Sequence, residues 1–544
     1  MIDVLLIQPP IQDFYLTAKR TIPYGLACIA SSLIQAGFSV GILDGLATSK
    51  SKPIPLPEEM AYLNEFYGYA DISPFSLFHQ YRHFGYSFEH IQHQAKLSRA
   101  FLIGISSLFT AYSREALLTA EAVKRHYPDC RIVMGGHHPT AMPEMVMACP
   151  SVDFVIRGDG EAVMPHLATA LRNNTQTSHL PGVVCRNPDG TIHMTAPVFM
   201  DDPDLFPPPA IHLTRQSYYQ RHGKSSAVIM SSRGCPMTCS YCCFGKESPT
   251  PYRRKRVSTV IREIETAISI HHAGFIDFED ENLSLDRDGF MEILKGVLRQ
   301  TRKGNDPVEL RAMNGLFPPS LDAEMIGLMK AAGFKALNLS LGSVCPDQLR
   351  RFSRPNVKTA FENCLNWTET AGMSAVGYII VAAPDQNPYD SLEDLLYLAE
   401  KRVLVGTSVF YPAPGSLDFM RCQEMGLLPD DLSLFRSTAL PISHTTTRLQ
   451  AVTLLRLSRI LNFIKSLIDQ GLTLGDMVSV SPGSGQNSRE ETGLNLLRLF
   501  LTQGRIYGMT PEGDRFAHTV DPLLTQTFVN RLHRLSIKGT KAPT

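Results

Sequence analysis

Short apolar runs alternate with helical stretches along the first 200 residues. The apolar runs have the length of buried strands, and they are 4–7, 38–43, 101–106, 131–134 and 152–156. Between them, 24–35 and 113–126 carry apolar residues at helical spacing, and Gly37 is a typical helix-ending residue. This alternation predicts an α/β domain with a doubly wound, Rossmann-like parallel sheet covered by helices on both faces.

A second alternation follows the proline-rich segment 201–209, which is typical of a linker. Its strand-like runs are 227–230, 275–278, 309–313, 336–341, 375–381 and 407–411. Its helical stretches are 258–271, 287–299, 322–332, 359–371 and 392–401. Six strands separated by helices predict a partial, TIM-like (βα)6 barrel, since a closed TIM barrel needs eight strands.

The pattern changes again after residue 415, where 449–468 and 493–502 have amphipathic helical spacing. The chain is therefore predicted to contain a domain at 1–200, a linker at 201–222, a barrel at 223–415 and a mostly helical region at 416–544. A stretch rich in aromatic residues and histidine, 47–97, interrupts the first alternation. We interpret it as an inserted helical cap that packs its aromatics, and a lid over a cofactor or substrate is the alternative.

Composition narrows the class of protein. Hydrophobic residues make up 44% of the chain, and 52 basic residues balance 52 acidic residues. A zero net charge supplies no long-range positive field, so neither nucleic acid nor an anionic membrane is an expected partner. No apolar stretch approaches the roughly 20 residues of a membrane span, and residues 1–7 resemble a strand and not a signal peptide. We expect a cytoplasmic protein.

The cysteines carry the strongest chemical signal. Seven of the eleven are isolated and are expected to pack as small apolar side chains, namely Cys28, Cys130, Cys149, Cys185, Cys345, Cys364 and Cys422. Cys235, Cys239 and Cys242 instead form a C-x3-C-x2-C group. Thiolates at this spacing can converge on one iron–sulfur cluster, and three ligands leave one iron of a four-iron cluster open.

Two other uses of the cysteine loop stay open. A structural zinc site requires a fourth cysteine or histidine, usually from a second short-spaced pair, and the sequence offers none nearby. A redox pair formed by Cys239 and Cys242 leaves Cys235 unexplained. Cys243 follows the group directly and is interpreted as a buried bystander.

The segment 230–243 resembles the signature of the radical S-adenosylmethionine (SAM) superfamily, C-x3-C-x-aromatic-C, with Tyr241 in the aromatic position. The resemblance implies a [4Fe–4S] cluster on Cys235, Cys239 and Cys242, with SAM bound to the open iron. One electron then cleaves SAM to a 5′-deoxyadenosyl radical, and the cofactor carries this chemistry. The resemblance also implies an external electron donor such as flavodoxin or ferredoxin.

Further matches run through the predicted barrel. Residues 278–282 resemble the family's F-x-D-D-N strand end, which implies that Asp280, or else Glu281, receives the ammonium group of SAM. A solvated acidic loop is the alternative. Ser343 matches the serine of a Glu-Ser pair in relatives, which implies a contact between Ser343 and SAM, whereas Gly342 replaces the acid of that pair. The shorter stretches that also match are 252–257, 314–316, 354–355 and 411–416.

The first 200 residues resemble the cobalamin-binding domain that precedes the radical core in one branch of this superfamily. The matching stretches are 8–10, 24–26, 104–107, 135–140 and 157–161. The resemblance implies that a corrin lies against Ser106, Ser107, Thr110, Gly135, Gly136 and His137. Because the sequence lacks D-x-H-x-x-G, we expect cobalamin without a histidine ligand to its cobalt.

Together these stretches resemble the cobalamin-dependent radical SAM enzymes. The resemblance implies a methyltransferase that acts on an unactivated carbon or phosphorus centre of a small-molecule or carrier-bound substrate. A cyclase or ring-rearranging enzyme of the same branch is one alternative. A non-enzymatic cobalamin or iron–sulfur sensor is the other. No catalytic residue beyond the cofactor ligands can be named from the sequence.

Overall fold

The computed structural model describes residues 2–14, 22–78, 80–244, 250–302, 306–439, 441–479 and 489–541. The strands of the N-terminal part are β1 (Val4–Gln8), β2 (Ile11–Asp13), β3 (Val40–Asp44), β4 (Ser51–Pro53), β5 (Arg82–Phe84), β6 (Leu102–Ser106), β7 (Arg131–Gly135), β8 (Phe154–Ile156), β9 (Val183–Arg186) and β10 (Ile192–Met194). Its helices are α1 (Tyr24–Gln35), α2 (Asn64–Tyr67), α3 (Phe88–Ser98), α4 (Ser113–His126), α5 (His137–Ala141), α6 (Pro143–Met147) and α7 (Gly160–Arg172).

One sheet organises this part of the chain, with the strand order β10-β9-β8-β7-β6-β1-β3. Strands β3, β1, β6, β7 and β8 run parallel, and β9 and β10 extend the sheet in antiparallel pairing. Leu26 of α1 and Val163 of α7 belong to the apolar core on one face. Ile91 of α3 and Val123 of α4 belong to the core on the other. The doubly wound α/β fold predicted from the sequence is confirmed.

The stretch 47–97 packs its aromatics, but it contains strands as well as helices. Strands β4 and β5 pair with β2, which lies outside the stretch, to form a three-stranded sheet. The ring of Phe14 contacts those of Tyr67 and Tyr81 at centroid distances of 5.4 and 5.1 Å. On its far side Asp71 accepts a hydrogen bond from His518. The stretch therefore joins the N-terminal sheet to the C-terminal region.

The central part of the chain forms the partial barrel. Its strands are β11 (Gln220–Arg221), β12 (Lys224–Ile229), β13 (Ser232–Arg233), β14 (Arg253–Arg254), β15 (Ala273–Phe278), β16 (Glu309–Ala312), β17 (Ala336–Gly342), β18 (Ser374–Val381) and β19 (Leu404–Val409). Its helices are α8 (Val257–Ser269), α9 (Arg287–Arg302), α10 (Ala323–Ala332), α11 (Pro346–Arg351), α12 (Lys358–Thr370) and α13 (Pro388–Ala399).

Six parallel strands follow one another around this barrel, as the sequence predicts. Strands β12, β15 and β16 pair in parallel, and so do β17, β18 and β19. A bridge between Leu316 and Leu339 joins the two groups. On β17, Leu337, Leu339 and Leu341 are buried against the helical layer, so the residues between them face the interior of the barrel. The carboxyl ends of these strands meet at one rim.

The C-terminal region is mostly helical. Its elements are α14 (Leu417–Glu424), α15 (Arg448–Ile468), α16 (Leu474–Ser479), α17 (Arg489–Gln503), β20 (Tyr507–Met509), β21 (Arg515–Ala517) and α18 (Pro522–Leu532). Helix α15 begins at a capping box formed by Thr447 and Gln450. Its Asn462 bonds to both backbone groups of Val405, which fixes the helix against β19. Over the described residues, no helix combines the length and apolar character needed to cross a membrane.

Candidate functional site

The three cysteines lie in a loop at the carboxyl end of β12, the first parallel strand of the barrel. Cys239 is buried, and Cys235 and Cys242 are half-buried. Burial raises the pKa of the Cys235 thiol, and the neighbouring thiols of Cys242 and Cys239 raise it further. The three thiols thus share one short loop after the first parallel strand, and they remain the predicted ligands of a cluster.

Polar donors approach two of these sulfurs. Asn282 Nδ2 lies 3.9 Å from Cys235 Sγ, and Arg354 Nη1 lies 3.9 Å from Cys239 Sγ. Donors at this position stabilise thiolates and the negative charge of a cluster. In the described part of the chain, no three His, Cys, Asp or Glu side chains are grouped to hold one metal ion. A [4Fe–4S] cluster requires a wider spacing because each thiolate binds a different iron. The donor set fits such a cluster.

Two neighbouring acids at the end of β15 have different surroundings. Asp280 is 2% exposed, and its carboxylate accepts hydrogen bonds from the backbone and hydroxyl groups of Ser231 and Ser232. Glu281 is half-buried and accepts one hydrogen bond, from Gly234 N at 3.1 Å. Burial raises the pKa of Glu281 to about 7. Glu281 thus keeps acceptor capacity for an ammonium group, whereas Asp280 already fastens the cluster loop to β15.

The carboxyl end of β17 has glycine at the position where relatives carry an acid. Gly342 has φ +82°, and a Cβ atom there would come within 3.1 Å of the Arg354 side chain. Ser343 is buried, and its hydroxyl donates to Asp394 at 3.0 Å and accepts from Cys345 N. The small residue makes room for the guanidinium that reaches the cluster loop. Ser343, predicted to contact SAM, lies behind the rim with its hydroxyl engaged.

Arg354 also holds the aromatic residue of the signature. Its Nη1 donates to the Tyr241 hydroxyl at 3.0 Å, and its Nη2 donates to Ser340 O at 2.6 Å. The Tyr241 ring meets that of Phe352 edge-on at 5.0 Å. A single guanidinium thereby connects the cysteine loop with β17. The sequence identified 354–355 only as a matching stretch and gave no signal of this role.

The loops after β6 and β7 form a second candidate site at the edge of the N-terminal sheet. Ser107 N donates to Gly135 O at 2.8 Å, and Gly136 has φ +125°. A Cβ atom at Gly136 would lie 2.5 Å from Ser107 O, so only glycine allows this close backbone approach. The buried Ser107 hydroxyl has no hydrogen-bond partner among the described residues. This bare, closely packed backbone fits a flat corrin with amide arms.

Other predicted contacts border this second site. Ser106 ends β6 and is half-buried. Thr110 Oγ1 lies 3.2 Å from His138 Nδ1, and burial lowers the pKa of His138 to about 4, so its ring is neutral. The His137 ring meets that of Phe244 edge-on at 5.1 Å, and Phe244 follows the cysteine group directly. The two cofactor loops predicted from separate halves of the sequence therefore touch.

The barrel interior carries groups that sequence reasoning did not single out. Arg311 donates to Asp277 on the neighbouring strand. Burial, and then the charge of Asp277, raise the pKa of Glu279 to about 7. Two large side chains on the same inner face, Met313 and Tyr378, remain 47% and 39% exposed. The inner face of the barrel therefore presents both polar and apolar side chains.

Comparisons with known proteins agree with both halves of this picture. The B12 binding domain family matches residues 77–168, and the Radical SAM superfamily matches residues 229–398. An uncharacterized methyltransferase of Pyrococcus horikoshii is 24% identical over 74% of this chain and 78% of its own length. The anaerobic magnesium-protoporphyrin IX monomethyl ester cyclase of Rubrivivax gelatinosus is 30% identical, over 46% of this chain and 44% of its own length.

A solved structure with the same fold covers nearly the whole chain. It is the radical SAM methyltransferase TsrM from Kitasatospora setae with tryptophan and a SAM analogue bound, with a TM-score of 0.61, 14% identity and 98% of each chain covered. The two family matches fall on the two sites built above, one on each side of the linker. The chain thus combines a B12 binding domain with a radical SAM domain, as the cobalamin-dependent radical SAM enzymes do, and its cofactors are a [4Fe–4S] cluster, SAM and cobalamin.

Proposed function

We propose that this enzyme transfers a methyl group to an unactivated carbon or phosphorus centre of its substrate. The observation that carries the proposal is the contact between His137 and Phe244, which places the cobalamin-type loops against the cysteine loop. Radical methylation needs both cofactors to face one substrate, and adjoining loops meet that requirement. The long match to a methyltransferase of Pyrococcus horikoshii supports the same reaction.

When bound, the cluster and SAM would supply the radical chemistry, and cobalamin would supply the methyl group. The chain's own residues bind and orient them. Cys235, Cys239 and Cys242 would hold the cluster, and Glu281 would accept the ammonium group of SAM. At the other edge, Ser107 and Gly136 offer backbone and a hydroxyl to the corrin.

The substrate is proposed to enter the barrel interior. Its Asp277–Arg311 ion pair and the Glu279 carboxyl can receive polar groups, while Met313 and Tyr378 can contact an apolar portion. This surface suits a small molecule with both kinds of group, or the end of a carrier-bound substrate.

Electrons are proposed to come from a separate donor such as flavodoxin or ferredoxin. Outside 235–243 the cysteines of the sequence are isolated, so the chain offers no second short-spaced group for another cluster. We place the enzyme in the cytoplasm, where such donors and reduced thiols are found.

Product analysis tests this proposal directly. The full chain would be reconstituted without oxygen with iron, sulfide and cobalamin, and then reduced in the presence of SAM and candidate substrates. Methyl transfer predicts that a methylated product, S-adenosylhomocysteine and 5′-deoxyadenosine form together. Product formed with 5′-deoxyadenosine and without S-adenosylhomocysteine would instead indicate a cyclisation or rearrangement.

A cyclase is the second candidate, and one observation favours it. The cyclase of Rubrivivax gelatinosus shares 30% identity over 46% of this chain. It is matched over less than half of its own length, whereas the methyltransferase match covers 78%. The longer match favours methyl transfer.

A sensor without catalytic activity would leave SAM intact in the same assay.

A further inference from the structure

A buried charge network joins the cobalamin-type domain to the cysteine loop. Arg233 ends β13, two positions before Cys235. Its Nη2 donates to Glu161 Oε1 at 2.5 Å, and its Nη1 donates to Asp159 Oδ1 at 3.3 Å. Both acids lie where β8 of the N-terminal sheet turns into α7. One guanidinium beside the cluster loop thus contacts two carboxylates of the other domain.

A second arginine completes the network. Arg253 lies opposite Arg233 in the β13–β14 ladder. Its guanidinium donates to both carboxylate oxygens of Asp159 and, at 2.8 Å, to the carbonyl oxygen of Met200, the residue just before the linker. Aromatic rings also pack on the two guanidinium groups: Phe206 of the linker on Arg233, and Phe199, shortly before the linker, on Arg253, each at 5.5 Å from the ring centroid. The N-terminal domain, the linker region and the barrel therefore all contribute to this charge network.

The four charged side chains are well shielded from solvent. Arg233, Arg253, Asp159 and Glu161 have side-chain exposures of 17%, 5%, 8% and 7%. Two positive and two negative charges balance one another. Burying charges is costly, and a hydrophobic junction of the same size could provide stability alone. What the charged network adds is a fixed geometry, because the planar fork of an arginine engages two carboxylates in one orientation.

We propose that Asp159 and Glu161 are positioning residues for the iron–sulfur cluster, acting through Arg233 and Arg253 to hold the cluster loop against the cobalamin-type domain. We call these four residues the interdomain clamp. The inference rests on the proposed function, since it concerns the distance between the two cofactors. It assigns the acids of the 157–161 stretch to the junction and not to the corrin itself.

The clamp has a specific consequence for the cofactors. The cluster ligands follow Arg233 closely in sequence, and the corrin-facing loops leave the same sheet edge as Asp159 and Glu161. Breaking the clamp would leave the cluster ligands and the corrin-facing loops intact, but it would let the two move relative to each other. A displacement of about 1 Å between reacting groups can lower a rate by about 100-fold.

The test compares cofactor geometry in the full-length, anaerobically reconstituted enzyme with that in Glu161→Gln. In the reduced protein, the magnetic interaction between cob(II)alamin and the cluster is measured by electron paramagnetic resonance. We expect Glu161→Gln to bind iron and cobalamin as the wild type does, but with a weakened or broadened interaction between them. S-adenosylhomocysteine formation should fall by about 100-fold.

Asp13→Asn is the matched control. Asp13 forms another buried ion pair, with Arg436 of the C-terminal region at 3.3 Å and side-chain exposures of 2% and 5%. This pair also crosses between segments, but it does not contact the cysteine loop. Asp13→Asn should lower the melting temperature and leave the magnetic interaction unchanged. An equal change in both variants would indicate general loosening and would overturn the clamp.

Arg233→Lys decides the matter if Glu161→Gln fails to fold. It keeps the charge, but a single ammonium group cannot engage both acids as the guanidinium does, so an intermediate loss of the interaction is expected. If these variants keep the wild-type magnetic interaction between cob(II)alamin and the cluster, the clamp proposal is wrong but the proposed function still stands. Wild-type protein that binds neither cofactor overturns the proposed function and the clamp with it.

Discussion

The two cofactor-facing edges of the molecule present different chemical groups. The edge of the N-terminal sheet offers mainly backbone, with Gly136 pressed against Ser107 O. The rim of the barrel offers thiols, carboxylates and the Arg354 guanidinium. A corrin is broad and flat and needs close approach, whereas a cluster and SAM carry charge and need charged partners. The first edge should therefore be damaged by adding atoms, and the second by removing functional groups.

The largest effect is expected from removing a thiol at the rim. Replacing Cys235, Cys239 or Cys242 by alanine should abolish cluster binding and lower 5′-deoxyadenosine formation by more than about 100-fold, since changes in outer-shell partners alone cost 10–100-fold. Bound iron and released 5′-deoxyadenosine are the measurements. Cobalamin binding should persist, and Cys243→Ala should keep its iron. Full iron in all three variants would contradict the ligand assignment.

The next largest effect is expected from a carboxyl group that is buried behind the N-terminal edge. Both carboxylate oxygens of Glu115, on α4 behind the N-terminal edge, lack hydrogen-bond partners among the described residues. Burial raises the pKa of Glu115 from 4.5 to about 7. A raised carboxyl pKa means that the folded state holds its proton more tightly, so this group lowers stability as pH rises from about 4.5 through about 7.

Glu115→Gln should remove that penalty. The gain in unfolding free energy should approach about 3 kcal/mol at pH 8 and vanish near pH 4. Thermal or denaturant unfolding across this range checks it, with the exposed Glu65→Gln as control. Behind the barrel rim, burial also raises the pKa of Asp394, to about 8, although its carboxylate accepts hydrogen bonds from Ser343 and Val344, so burial outweighs those donors. A gain that does not depend on pH would contradict this explanation.

Adding one methyl group should damage the N-terminal edge. Gly136→Ala places a Cβ atom 2.5 Å from Ser107 O at a left-handed φ of +125°, a strain of about 1–3 kcal/mol. Cobalamin retained after gel filtration should fall by about tenfold, with the iron content unchanged. Gly190→Ala is the control, because Gly190 has φ +86° but open space around its Cβ position. Equal losses in both variants would mean that strain alone is responsible.

A smaller pair of effects distinguishes the two acids of the rim. Asp280→Asn should reduce stability by about 1–3 kcal/mol because it disturbs a buried acceptor of several hydrogen bonds. Glu281→Gln should not lower stability, because burial already raises the pKa of this carboxyl to about 7, and it should raise the KM for SAM by about tenfold. Melting curves and SAM titrations separate the two. The opposite pattern would restore Asp280 as the acceptor of the SAM ammonium group, as the sequence resemblance implies.

The sequence was informative where function depends on short spacing. The C-x3-C-x2-C group, its place after the first barrel strand and the alternation of strands all follow from neighbours in the chain. Those features predicted the fold and the cysteine loop. The engagement of Asp280 by Ser231 and Ser232 joins residues 48 and 49 positions apart. Such contacts depend on how β12 and β15 align, which no local pattern specifies.

The interdomain clamp shows the same limit more clearly. The stretches 157–161 and 252–257 each resemble those of relatives, but nothing in either indicates that Asp159 and Arg253 pair across 94 positions. The stretch 47–97 is similar, because its strands exist through pairing with β2 outside the stretch. Chemistry carried by adjacent residues could be predicted, whereas chemistry assembled by tertiary packing required the structure.

The central claim is that SAM is cleaved at the open iron of a cluster held by Cys235, Cys239 and Cys242. The most direct measurement compares 5′-deoxyadenosine formed by the reduced, oxygen-free wild type with that formed by a variant lacking all three thiols. We predict about four iron atoms per wild-type chain with steady formation of 5′-deoxyadenosine, and neither in the variant. A variant that retains its iron and still cleaves SAM would contradict the account.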